Sequence, residues 1–84
     1  MNATERVATF LSHLLQNAPV DDVIRLPMTR NAIADYLGLT TETVSRTFTR
    51  LRREGVVCPV NTHDVQVKNA SRLRSYATAQ ALAA

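Results

Sequence analysis

Gly38 divides the run from Thr29 to Glu54, TRNAIADYLGLTTETVSRTFTRLRRE, into two short helical patterns joined by a tight turn. Glycine takes a positive φ at no steric cost, so its place between two amphipathic stretches favours two crossing helices over one long rod. Thr29 suits the N-cap of the first helix, whose Ile33, Ala34 and Leu37 face inward. Thr40 suits the N-cap of the second, which runs to about Glu54 and ends with basic residues before Gly55. At about 100° per residue, Val44, Phe48 and Leu51 fall on one side of this second helix. Glu42, Ser45, Arg46, Thr49 and Arg53 fall near the opposite side. Ala34 permits close approach, Gly38 turns the chain and Val44 locks the second helix to its support, which predicts a helix-turn-helix.

The flanks extend this into one domain of 84 residues. Residues 4–16 carry Val7, Phe10, Leu11, Leu14 and Leu15 at helical spacing, with Thr4 read as the cap of a leading helix. A turn over 17–22 contains Pro19, and a short strand is predicted over Val23 to Leu26. Two further strands, Val56 to Val60 and Val65 to Lys68, flank a polar loop and form a hairpin wing. Ser71 to Ala77 reads as a brief helix using Leu73 and Tyr76, followed by a weakly specified tail. The expected fold is mainly α with a small β component: a winged helix-turn-helix with a three-helix core and a β-hairpin wing. Its parts are a leading helix over 1–16, the helix-turn-helix over 29–54, the wing over 55–68 and a C-terminal helix or tail over 69–84.

A chain this short builds one small core without a separate catalytic cleft. Its apolar fraction of 45% argues for an ordered domain. No run approaches the roughly 20 apolar residues that span a bilayer, so the expectation is a soluble, cytoplasmic protein without membrane association. Cys58 is the only cysteine, which rules out an internal disulfide and a cysteine-rich zinc site. His13 and His63 are the only histidines, no nucleophile motif accompanies either, and no glycine-rich phosphate loop occurs, so no enzymatic activity is expected. Asp21 and Asp22 lack the further oxygen ligands a metal needs, and no cofactor is expected in the chain.

The net charge of +3 matters less than its placement, because Arg46, Arg50, Arg52 and Arg53 lie within eight residues. Clustered guanidinium groups suit phosphate, or they simply solvate a helix face. Arg46 can place two donors on O6 and N7 of a guanine in a major groove. Glu42 stands one turn earlier, where a carboxylate facing a polyanion is repelled unless it accepts from a base, most naturally the N4 amino group of cytosine. The bland reading of the pair is an exposed i,i+4 salt bridge worth only about 0.3 to 0.5 kcal/mol. Ser45 and Thr41 complete the base-reading candidates. Thr29, Arg30, Thr40, Thr49, Arg50, Arg53 and His63 are the phosphate-contacting candidates, two helix N-termini adding partial positive charge. The competing reading is a winged-helix module that presents the same helix to another protein.

The stretch LPMTRNAIADYLGLTTETVSRTFTRLRREGVV resembles the DNA-binding domain of the Crp/Fnr family of bacterial transcription regulators, most nearly its FixK/Fnr-type branch. The resemblance covers Thr4 to roughly Tyr76. It implies sequence-specific binding to double-stranded DNA, with the Glu-x-x-Ser-Arg motif falling on Glu42, Ser45 and Arg46 and reading a TTGA-like half-site. It also implies a homodimer on pseudo-palindromic promoters and contact with RNA polymerase. The family's β-roll sensor and long dimerisation helix are absent from these residues, so dimerisation would use that missing region. Thr47 departs from the family, which often places a larger aliphatic residue there against the core.

Overall fold

The computed structural model describes residues 2–17 and 21–83, arranged as four helices and a three-stranded antiparallel sheet. Helix α1 spans Ala3–Leu15, strand β1 Val23–Arg25, helix α2 Arg30–Leu37 and helix α3 Thr41–Arg53. Strands β2 (Val57–Pro59) and β3 (Asp64–Val67) follow, then helix α4 (Ala70–Ala83).

Both inner caps fall where the sequence puts them. Thr29 accepts from Ala32 N–H at 3.2 Å, and Thr40 accepts from Thr43 N–H at 3.1 Å, each satisfying a backbone donor that the first turn leaves open. Gly38 has φ 71° and ψ 33°, and its neighbour Leu39 donates its N–H to the Ala34 carbonyl at 2.8 Å, closing α2 and starting the turn into α3. Leu39 is partly buried against the core. α1 begins earlier than expected. Its cap is Asn2, whose side chain accepts from Glu5 N–H at 2.8 Å. Thr4 lies inside the first turn, 8% exposed, because its side chain faces the core and accepts from Arg50 Nη1 at 3.5 Å.

The wing is one part of a larger sheet. β3 is central, pairing with β2 through Cys58↔Gln66 and with β1 through Ile24↔Val65. β1 and β2 are shorter than the predicted strands, β3 starts and ends one residue earlier than predicted, and β1 joins the hairpin as its third strand. The pleat turns Ile24, Val65 and Val67 inward and leaves Arg25 and Cys58 exposed. Asn61 tightens the hairpin, its Oδ1 accepting from the N–H groups of His63 and Asp64 at 2.8 Å each. The predicted turn around Pro19 lies partly outside the described residues, while Asp21 and Asp22 follow it with φ 51° and 57°.

One core unites these layers. Val7, Leu11, Ile33, Val44, Leu51, Val56, Val65 and Leu73 are all 0% exposed and belong to a single apolar cluster. α2 packs on α3, and α1 packs on both α3 and α4. Thr47 is also buried, and its hydroxyl donates to the Thr43 carbonyl at 2.8 Å, so the smaller polar residue sits in the core with its donor satisfied. α4 is longer than the predicted brief helix, its backbone running to Ala83 with Asn69 at its start accepting from Arg72 N–H at 3.0 Å.

Glu54 closes the junction between α3 and α4. Its carboxylate accepts from the Tyr76 hydroxyl at 2.6 Å, from Arg50 Nε at 3.0 Å and from Arg72 Nη2 at 3.3 Å. The Tyr76 bond and then the Arg50 bond hold the Glu54 carboxyl below the ordinary value of 4.5. A carboxyl depressed by folding stabilises the native state above its unfolded value, and that stabilisation is lost as pH falls through the folded one. Thermal melts from about pH 5 to pH 3 are therefore expected to show a steeper loss for the natural chain than for Glu54→Gln. Parallel curves would remove Glu54 as a contributor.

Candidate nucleic-acid interface

The amphipathic division of α3 holds in three dimensions. Val44, Thr47, Phe48 and Leu51 are buried, while Glu42, Ser45, Arg46 and Arg53 are exposed and Thr49 is half-buried at the edge of the stripe. α3 is thus held from behind by the core, and its polar face is open to a partner.

Glu42 and Arg46 form an ion pair across one turn, Arg46 Nη2 donating to Glu42 Oε1. Their side chains stay 75% and 73% exposed, so the pair is solvated and worth only about 0.3 to 0.5 kcal/mol. A good bidentate contact to a base is worth about 1 to 3 kcal/mol, so the ion pair orients the guanidinium without competing with a guanine for it. Ser45 lies between them along the helix and, being short, leaves the face shallow.

Thr41 opens the helix, and its hydroxyl donates to Asn31 Oδ1 on α2 at 2.6 Å. Sequence reading assigned no role to Asn31, since ten positions separate the two residues. Thr40 is occupied as a cap and its hydroxyl donates to Thr43 Oγ1 at 2.8 Å. Thr49 donates its hydroxyl to the Ser45 carbonyl at 3.0 Å.

The basic candidates divide into tied and open groups. The Arg30 guanidinium lies 4.1 Å from the centre of the Phe48 ring, and burial there lowers its pKa from the ordinary arginine value. This stacking fastens the start of α2 to the middle of α3. Arg50 is exposed but tied to Glu54 and Thr4. Arg52 and Arg53 are exposed and make no ion pair among the described residues. Arg52, to which sequence reading gave no individual role, joins Arg30, Ser45, Phe48, Thr49 and Pro59 around a notch of about 180 Å³ between α3 and β2. His63 sits exposed at the wing tip, where its carbonyl accepts from Leu26 N–H at 2.7 Å.

Among the described residues, no three His, Cys, Asp or Glu side chains converge to hold a metal ion, and no helix is long and apolar enough to cross a membrane.

Comparison with known proteins places this arrangement. Residues 5–76 match the Crp-like helix-turn-helix domain. The nitrogen fixation regulation protein FixK of Bradyrhizobium diazoefficiens is 50% identical over 64 residues, covering 71% of this chain and 27% of FixK. The FixK of Rhizobium meliloti is 41% identical over 73 residues, covering 87% of this chain and 35% of its own length. Among solved structures, FixK2 from Bradyrhizobium japonicum superposes with a TM-score of 0.82 at 40% identity, over 89% of this chain and 38% of that one. The CO-dependent transcription factor CooA from Carboxydothermus hydrogenoformans gives 0.83 at 25% identity, over 90% and 37%. The chain thus spans between about a quarter and two fifths of these relatives. With its fold, its capped glycine turn and its sequence in agreement, the chain belongs to the Crp/Fnr family of transcription regulators as a Crp-like helix-turn-helix DNA-binding domain.

Proposed function

We propose that this chain reads a TTGA-like half-site in double-stranded DNA by laying α3 in the major groove. The observation that carries this is the solvated Glu42 and Arg46 pair on the exposed stripe of a helix whose other face is buried. Such a half-site contains one G·C pair. Arg46 donates to O6 and N7 of its guanine, and Glu42 accepts from N4 of its cytosine, so two linked side chains read both edges of one base pair. Ser45 and Thr41 contact neighbouring bases. Arg53 and Arg52 flank the groove on the phosphates, Thr29 offers its hydroxyl beside the N-terminus of α2, and His63 reaches the adjacent backbone from the wing. Arg30, Thr40, Thr49 and Arg50 serve the same surface mainly by fixing it, since each is engaged within the protein.

In the parent regulator two copies bind a pseudo-palindrome as a homodimer and contact RNA polymerase, with no cofactor held by this domain. One copy on one half-site makes too few contacts for tight binding, whereas two copies held about 34 Å apart gain from effective concentration. Titration of the 84-residue chain, free and as a linked pair, onto DNA with one or two half-sites is expected to give tight binding only for the linked pair on two sites. Equally tight binding by the free chain to a single site would contradict it. Affinity should also fall steeply with salt, an effect that a protein-interaction module would not show toward DNA.

A further inference from the structure

The hydrogen bond between Thr41 and Asn31 ties the first residue of α3 to the first turn of α2, and both residues are exposed. Thr41 is the donor, so its hydroxyl proton is committed to Asn31 Oδ1 at 2.6 Å. What Thr41 retains for a partner is its methyl group and an acceptor oxygen. Asn31 for its part uses its carbonyl oxygen in this bond, while its Nδ2 group, with two donors, has no hydrogen-bond partner among the described residues. That amide stands one residue after Arg30 at the start of α2, where the helix dipole favours an anion.

We propose that Asn31 is a positioning residue for base reading: it turns the Thr41 hydroxyl away from the groove and at the same time donates from Nδ2 to a DNA phosphate. With its hydroxyl turned aside, Thr41 presents its methyl group, which matches the C5-methyl of thymine and no feature of the other bases. Asn31 therefore links a backbone contact to a base preference, and the thymine preference arises at the base pair nearest the N-terminus of α3. This rests on α3 entering the major groove, and it adds a residue and a discriminating mechanism to that placement.

The two jobs of Asn31 separate by substitution. Asn31→Ala removes both, whereas Asn31→Asp keeps an acceptor for Thr41 and replaces the phosphate donor with a carboxylate. The 84-residue chain is incubated at low salt with a random duplex pool, bound sequences are read out, and affinities are then measured on matched and single-base-changed duplexes. In the natural chain a methyl-sized contact gives about a fourfold preference for thymine at the outer position. Asn31→Ala is expected to bring that preference near unity while the guanine preference owed to Arg46 stays in place. Asn31→Asp is expected to keep the thymine preference and to weaken binding to every sequence, on the order of tenfold, through repulsion from phosphate. Thr41→Val puts a second methyl in place of the hydroxyl, so a methyl faces the groove in either orientation; the thymine preference should persist in it and return when it is combined with Asn31→Ala.

An unchanged thymine preference in Asn31→Ala, or a double variant with Thr41→Val that shows no thymine preference, overturns the proposal for Asn31 while guanine selection by the natural chain still supports groove reading. A natural chain that selects no sequence overturns both. Both substituted positions are exposed, so thermal melts matching the natural chain accompany the binding data.

Discussion

Leu51→Ala is expected to cost about 2 to 5 kcal/mol of folding free energy. Leu51 is 0% exposed and belongs to the cluster shared by α1, α2, α3 and the sheet. Removing its isobutyl group forfeits the transfer energy of those atoms and leaves a cavity that close-packed neighbours fill only in part. A domain of this size has roughly 4 to 12 kcal/mol in total, so the substitution consumes a large share of it. Urea denaturation should show the midpoint falling by about 1 M or more with the slope unchanged. Val60→Ala is the control, since Val60 is 57% exposed and its truncation should stay within about 0.5 kcal/mol. A loss below that level at Leu51 would mean that α3 is not seated on the core, and the orientation of its exposed stripe would lose its basis.

Arg46→Ala is expected to lower affinity for the preferred duplex by about 1 to 3 kcal/mol while changing affinity for a duplex lacking the read guanine far less. The distinction follows from what each arginine touches. A guanidinium on a base edge contributes only where that base is present, but one on phosphate contributes everywhere. Arg53→Ala should therefore weaken all sequences alike and reduce the dependence of log affinity on log salt by about one unit. Glu42→Ala frees the Arg46 side chain from its i,i+4 partner and removes the acceptor for cytosine, so it should relax the same base position as Arg46→Ala. Fluorescence anisotropy titrations on matched and single-base-changed duplexes read these effects directly. Equal losses for Arg46→Ala on both duplexes would reduce Arg46 to a phosphate contact.

The parts legible in the sequence are those set by local chemistry. Thr29, Thr40 and Gly38 act within one turn of their own positions, and the burial of Val44, Phe48 and Leu51 follows from helix geometry alone. Thr4 carries a fair cap signal, a hydroxyl before an apolar periodic run. Asn2 carries an equally good cap two residues earlier, and Thr4 is buried with Arg50, far along the chain, as its hydrogen-bond donor. The pairing of β1 with β3 left no trace, since a three-residue strand has too little alternation to reveal a partner some forty residues away. The same holds at the interface. The stripe of Glu42, Ser45 and Arg46 is periodic and therefore visible, whereas Arg30 on Phe48, Asn31 with Thr41, and Glu54 with Tyr76 each depend on elements brought together by folding.

Chemical removal of the guanine N7 acceptor tests the central contact most directly. In a duplex carrying 7-deazaguanine at the half-site guanine, base pairing is kept and one acceptor for Arg46 is lost. The natural chain is expected to bind this duplex about tenfold or more weaker than the unmodified one, the value of a hydrogen bond to a charged donor, while Arg46→Ala binds both alike. A natural chain indifferent to the modification, or an Arg46→Ala variant that loses as much as the natural chain, would contradict major-groove reading by this helix.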